Sequence, residues 1–176
     1  MDYVIVRAKG SDATYIITAD YKDAVRTYQR WLAAYVNKTG DKYARAHLIH
    51  LRQNADALRG QPIEYRSCRY GDDASTDQIF VLGVLAWPKI WRLPPEHMGR
   101  DWGRPVRRLA DTNGTFELRT DGQEWRILWL DGRSEAAFTT SRSYARAAEA
   151  AAVFAFIDAA LEGLPRTCHA DRRQRR

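Results

Sequence analysis

His47 and His50 stand three residues apart in a stretch with helical apolar spacing, so both rings can fall on one face. Such a pair supplies two metal ligands, and a metal-dependent enzyme built on His47 and His50 is one reading of the chain. Zinc wants a third and usually a fourth ligand. No Glu completes an HExxH pattern, and Cys68 and His97 stand at no recognisable spacing from the pair. Tyr43, His47, His50 and Asn54 instead make a polar stripe beside an apolar one, which favours a structural or interface role without a metal. Cys168 and His169 adjoin near the C-terminus, but a nucleophile needs a base that a third group holds in a shielded site. Asp72 and Asp73 adjoin in a polar stretch and read as a solvated turn. There is no GxSxG elbow, no phosphate loop ending in Gly-Lys-Ser/Thr and no dinucleotide fingerprint. No catalytic residue and no cofactor is therefore expected.

Binding chemistry is denser. The stretch 87–105 holds four of the six prolines and three of the six tryptophans and has no clean period. A loop that long inside a compact domain is usually functional or disordered, and its aromatics argue against disorder. Arg100, Arg104, Arg107 and Arg108 cluster around Trp102, with Trp91 upstream. Interleaved Arg and Trp can hold a single strand by phosphate contacts and base stacking. The same residue types are the usual hot spots of protein interfaces. The opposing reading is that Trp87, Trp91 and Trp102 cap the core and the arginines are ordinary surface. A second line, Arg45, Arg52 and Arg59 at seven-residue spacing, can track phosphates, but Ile49 and Asp56 lie within it and favour a solvated face.

Charge divides unevenly. The chain has 176 residues and a formal net charge of +6. Residues 1–60 carry +4, 61–110 carry +2, 111–165 carry −4 and the tail 166–176 carries +4. Much of the basic character thus sits in a tail whose composition predicts disorder. No apolar run approaches the roughly 18–20 residues of a membrane span. The N-terminus lacks a basic-then-apolar leader, and Cys68 and Cys168 lie far apart, so a cytoplasmic protein with reduced cysteines is expected.

The elements that must position these residues are organised around the stretch 106–163. Asn113-Gly114, Asp121-Gly122 and Asp131-Gly132 punctuate apolar-rich runs. Such dipeptides suit type I′ hairpin turns, so a four-stranded antiparallel meander is predicted. Two-residue turns put Leu118 opposite Trp125, Phe116 opposite Ile127, Ile127 opposite Ala136 and Trp125 opposite Phe138. One face is then apolar. The other is wet, with Arg119 opposite Glu124 and Glu117 opposite Arg126. A helix follows from about Arg142, capped by Ser141 and ending before Gly163 and Pro165. Its middle, AAAVFAFI, is apolar all round, so something besides the meander must cover it.

Upstream, 3–8 and 14–18 read as a hairpin, followed by helices over 20–36 and 41–58. Residues 63–70 read as a strand. The run IFVLGVLAW over 79–87 reads as a strand buried on both faces, with Gly83 marking a bulge or a close approach. The two N-terminal helices would cover one side of it and the last helix the other. The fold class is α+β: a mostly antiparallel sheet, a C-terminal four-stranded meander plus helix, and two helices after an N-terminal hairpin. One integrated domain is expected over 1–165, with sub-modules 1–60, 61–110 and 111–165.

The span from Thr115 to Leu161, sheet then helix with Phe138-Thr139-Thr140 opening the helix, resembles the DNA-binding arm domains of tyrosine recombinases. That resemblance implies a sheet laid in a DNA groove. Its base-reading residues have no counterparts here, and the enclosing stretch 111–165 is net −4. The reading that follows is a non-enzymatic binding protein, a small inhibitor or accessory protein of a mobile genetic element, anti-CRISPR-like, seated on a host protein or nucleoprotein complex. An excess of Arg over Lys with abundant Ala suits a GC-rich bacterial source or one of its mobile elements. The alternatives are a nucleic-acid-binding regulator using Arg100 to Arg108 and the basic tail, and the metal enzyme above.

Overall fold

The computed structural model describes residues 1–67, 77–87, 89–133, 135–139 and 143–164. Cys68, Asp72, Asp73, Cys168, His169 and the tail 166–176 lie outside them. The fold is α+β, with two antiparallel sheets.

β1 (Tyr3–Lys9) and β2 (Asp12–Thr18) form the expected hairpin. Asp20 caps α1 (Tyr21–Thr39), its side chain accepting from Lys22 N at 2.8 Å, and Gly40 at φ 67° closes it. Only glycine adopts that left-handed cap at little cost. Asp41 then caps α2 (Lys42–Asn54), accepting from Tyr43 N and Ala44 N at 2.9 and 3.1 Å. α2 is shorter than expected, and a turn covers the rest of the way to Gly60. β3 (Ile63–Arg66) and β4 (Gln78–Val84) complete a sheet of order β2-β1-β4-β3. Tyr3, Ile5, Phe80 and Leu82 face the buried stripe of α1 and α2, while Val4, Val6 and Ile79 face the last helix. The double coverage read from the apolar run is thus observed. Gly83 marks a close approach rather than a bulge: a Cβ there would lie 3.3 Å from the Phe156 ring.

The stretch after Trp87 is not one irregular loop. It contains β5 (Trp91–Arg92), the single-turn α3 (Pro95–Met98) and the start of β6 (Arg104–Asp111). β7 (Gly114–Thr120), β8 (Trp125–Asp131) and β9 (Ala136–Thr139) complete the meander, and β5 adds a fifth strand in the order β5-β9-β8-β7-β6.

The turns, and with them the register, differ from the two-residue expectation. Asp111 pairs with Gly114, so Thr112 and Asn113 make the first turn. Gly114 is instead a strand residue, where a Cβ would lie 2.1 Å from Leu130 O and 2.6 Å from the Trp129 ring. At the second turn Asp121 Oδ1 accepts from Gln123 N and Glu124 N, both at 2.9 Å, which lengthens the loop to four residues. Leu118 therefore faces Ile127, and Phe116 faces Trp129. The shift is an even number of residues, so every side chain keeps its face. Past the third turn, Trp129 faces Phe138, and a bulge sets Ala136 opposite Leu130 on the other face. The expected pairs Ile127 with Ala136 and Trp125 with Phe138 do not form. Arg119 lies opposite Arg126, and Glu117 opposite Leu128.

The last helix, α4 (Ala147–Gly163), begins later than expected, because Tyr144 is still extended and bridges to Trp125. Ser141 and Arg142 lie outside the described residues. Phe138 and Thr139 belong to β9, which removes the helix start on which the recombinase likeness rested. α4 lies between the two sheets. Ala148, Ala151, Ala155 and Ala159 pack on the first sheet, and Ala150, Phe154 and Ile157 on the meander. That is why its sequence is apolar all round.

Candidate docking face

The site is the face of the five-stranded sheet turned away from α4. One cross-strand row runs the width of that sheet: Trp91 beside Thr139, then Leu128, Glu117 and Arg108. Four strand spacings separate its ends, roughly 19 Å. Trp91 is 50% exposed at one end, and the Arg108 side chain is 64% exposed at the other. This face is not uniformly wet. Leu128 and Leu130 are buried there with Leu93 and Trp102.

Trp102 reaches that position through a pinned loop. Asp101 Oδ1 accepts from Gly103 N at 2.9 Å, and Arg119 Nη1 donates to Gly103 O at 3.2 Å. Gly103 has φ 77°, and a Cβ there would lie 2.2 Å from Thr120 O, so only glycine lets the loop turn against β7. Trp102 is 8% exposed, and its Nε1 has no hydrogen-bond partner among the described residues. The guanidinium groups of Arg100 and Arg126 lie over its ring at 5.0 and 4.8 Å.

Glu117 organises the remaining charge. Its carboxylate is buried and accepts from Arg108 Nε at 2.8 Å and from Arg119 Nε at 2.6 Å. A buried carboxylate with two guanidinium partners fixes both arginines in place. Arg126 Nη2 also lies 3.9 Å from Glu124.

The residues singled out in the sequence therefore divide. Trp91, Arg100, Trp102 and Arg108 share this face. Arg104 and Arg107 pair with Thr120 and Leu118 and so fall on the opposite face by strand alternation. Arg107 lies over the Phe154 ring at 5.7 Å and Arg104 is exposed at the sheet's end. Trp102 is a packed residue, as the core-capping alternative held. Sequence reasoning missed Glu117, Arg119 and Arg126 as site residues because it assigned them to a wet face. The signal was present in WRILWL, where apolar residues occupy both alternating sets and mark a strand covered on both sides.

The other candidates do not converge on chemistry. Tyr28 Oη lies 2.9 Å from His47 Nε2, and Asn54 Nδ2 lies 3.3 Å from His50 Nδ1. Burial, with the nearby charge of His50, holds the His47 imidazole below its ordinary value. No group of three or more His, Cys, Asp or Glu that could hold a metal occurs among the described residues. Arg59 lies over the Tyr21 ring at 4.9 Å. No helix among the described residues is long and apolar enough to cross a membrane. No family model, curated protein or solved structure matches the chain.

Proposed function

We propose that this chain is a non-enzymatic binding protein that docks on an acidic protein surface through the outer face of its five-stranded sheet. The observation that carries this reading is the arginine arrangement around Trp102 and Glu117: four guanidinium groups held by stacking and ion pairing on one sheet face. Fixed arginines lose little side-chain freedom on binding, and arginine with tryptophan dominates interface hot spots. Phosphate tracking does not require such fixing and favours free cations. Here Glu117 and Glu124 offset two of the four charges.

The role we assign is that of a small inhibitor or accessory protein of a mobile genetic element, anti-CRISPR-like, acting in the cytoplasm on a host protein or nucleoprotein complex. The Arg- and Ala-rich composition supports that assignment. The test is capture of a host complex by the immobilised full chain, followed by titration of the purified partner. Trp91 and Arg108 are the exposed ends of the row. Replacing both by Ala is expected to weaken binding at least about a hundredfold without loss of folding, because interface Trp and Arg residues commonly carry about 2 kcal/mol each. Unchanged affinity in that variant refutes the assignment of the face. Binding to naked nucleic acid with a steep log–log dependence on salt, and no protein partner, refutes the protein-docking reading.

A further inference from the structure

A second surface stands on the other sheet, on the side away from α4. Along β1, Tyr3 and Ile5 face α1 as core, and the same face continues with Arg7 and Lys9. On α1, Trp31, Tyr35 and Lys38 recur at four and three residues and lie on the stripe that meets them. Between strand and helix a groove of about 360 Å³ opens, lined by these five residues among others and by Phe80. The Arg7 guanidinium lies over the Trp31 ring at 5.4 Å. Asp12 supplies a carboxylate to the groove, and among the described residues neither it nor Arg7, Lys9 or Lys38 forms an ion pair.

The contrast with the meander is chemical. There each cluster of arginines has its carboxylate within reach. Here, among the described residues, three cations meet in a concavity with one carboxylate, and none is neutralised by contact. A cleft with a net excess of one sign and low-dielectric walls concentrates counter-ions. Arg7 offers a two-pronged donor for phosphate oxygens, and Lys9 and Lys38 offer ammonium point charges. When the exposed Arg7 side chain swings from the Trp31 ring to a phosphate, the ring offers an aromatic surface on which a base can stack, in the manner of single-strand binders. The volume falls within the range of about 300–1,000 Å³ that small-molecule sites occupy.

The geometry points to a nucleoside-phosphate site in this groove, with the phosphate held by Arg7, Lys9 and Lys38 and the base laid against Trp31. The site is separate from the docking face and stands or falls independently of it. The bound unit is a free nucleotide or one nucleotide of a single strand, and two probes distinguish these sources: ADP and a short oligothymidylate. Each is titrated calorimetrically into the full chain, and amide shifts are recorded by NMR. Binding of at least one probe is expected, with shifts confined to β1, β2, the first half of β4 and the second half of α1. Replacing Lys9 and Lys38 by Ala should weaken it at least about tenfold, as should Arg7→Ala, since each removes charge-assisted contacts to phosphate. These are surface positions, so the melting temperature should hold, and the Trp91/Arg108 double variant should bind the probe like the parent. Oligothymidylate binding without ADP binding assigns the site to single strands. No binding of either probe at about 1 mM, or full affinity in the Lys9/Lys38 variant, overturns the inference.

Discussion

Trp102→Ala separates a packed tryptophan from an exposed loop anchor. Trp102 touches Leu93, Leu128 and Leu130, which are 3%, 0% and 6% exposed. Truncating a fully buried Trp costs about 3–5 kcal/mol. Two features lower that figure here. The cluster is small and lies beneath an open sheet face, and the orphan indole N–H already costs the folded state about 1–3 kcal/mol, which truncation returns. The expected loss is about 2–3 kcal/mol on these terms, or roughly 5–10 °C in melting temperature for a chain of this length. Trp102→Phe keeps an aromatic ring under the two guanidinium groups and deletes the N–H. It should stay within about 1 kcal/mol of the parent, the lost area and weaker cation–π contact being offset by the removed orphan donor. Urea titration with a shared m-value measures both. A loss below about 1 kcal/mol for Trp102→Ala would show that the indole is not part of the packing. A loss clearly above about 1 kcal/mol for Trp102→Phe would show that the N–H is satisfied in the folded protein. Trp102→Phe should also leave partner affinity intact, because the tryptophan positions the arginines rather than meeting the partner.

The remaining predictions concern the core and pH. Trp129 lies between Phe116 and Phe138 in the pairing, is buried, and donates from Nε1 to Asp111 Oδ2 at 3.0 Å. Trp129→Ala should cost about 3–5 kcal/mol in urea titration, and Trp125→Ala clearly less, because Trp125 opens β8 opposite Thr120 and is only half-buried; the reverse order would refute the register. The His47 imidazole is held below its ordinary value of about 6.5 by burial, then by the charge of His50. Its folded value lies under its unfolded one, so the stability it contributes is complete above about pH 6.5 and is lost as pH falls through the folded value. Melting temperature should thus fall as pH drops below about 6.5, and His47→Gln should flatten that fall; an identical slope in the variant refutes the assignment.

The elements with a strong period or paired caps were legible. Asp20 and Gly40 bound α1, and the all-round apolar AAAVFAFI run required two partners, which the two sheets supply. The register was not legible, because it depended on whether Asp121 would capture two amides two and three residues on. That choice is a local contest between turn types which the dipeptide Asp-Gly does not decide. The docking face was half legible. Trp91 and Arg108 stand out by type, but their place at opposite ends of one row depends on β5 pairing with β9 across a long separation in sequence. The groove on the first sheet was hidden differently. The alternation of β1 and the stripe of α1 can each be read alone, and only the packing of helix on sheet brings Arg7 and Trp31 together.

The two surfaces can be tested separately because of how α4 is built. Toward the first sheet it presents mostly alanines, which let its backbone approach Val4, Val6 and Ile79 closely. Toward the meander it presents Phe154 and Ile157, which reach Phe116, Leu118, Ile127 and Trp129 through side chains. An alanine face tolerates no added bulk, whereas a large-residue face is weakened by truncation. The inner cluster under the meander is therefore what holds the docking sheet flat against α4. The Arg7–Trp31 groove lies beyond the first sheet, on the α1 side, and shares no residue with that cluster. Surface substitutions in the groove should leave the arginines around Glu117 undisturbed, and substitutions at Trp91 or Arg108 should leave the groove intact. Well-separated positions without shared partners behave additively, so a change at one surface that altered binding at the other would have to travel through α4.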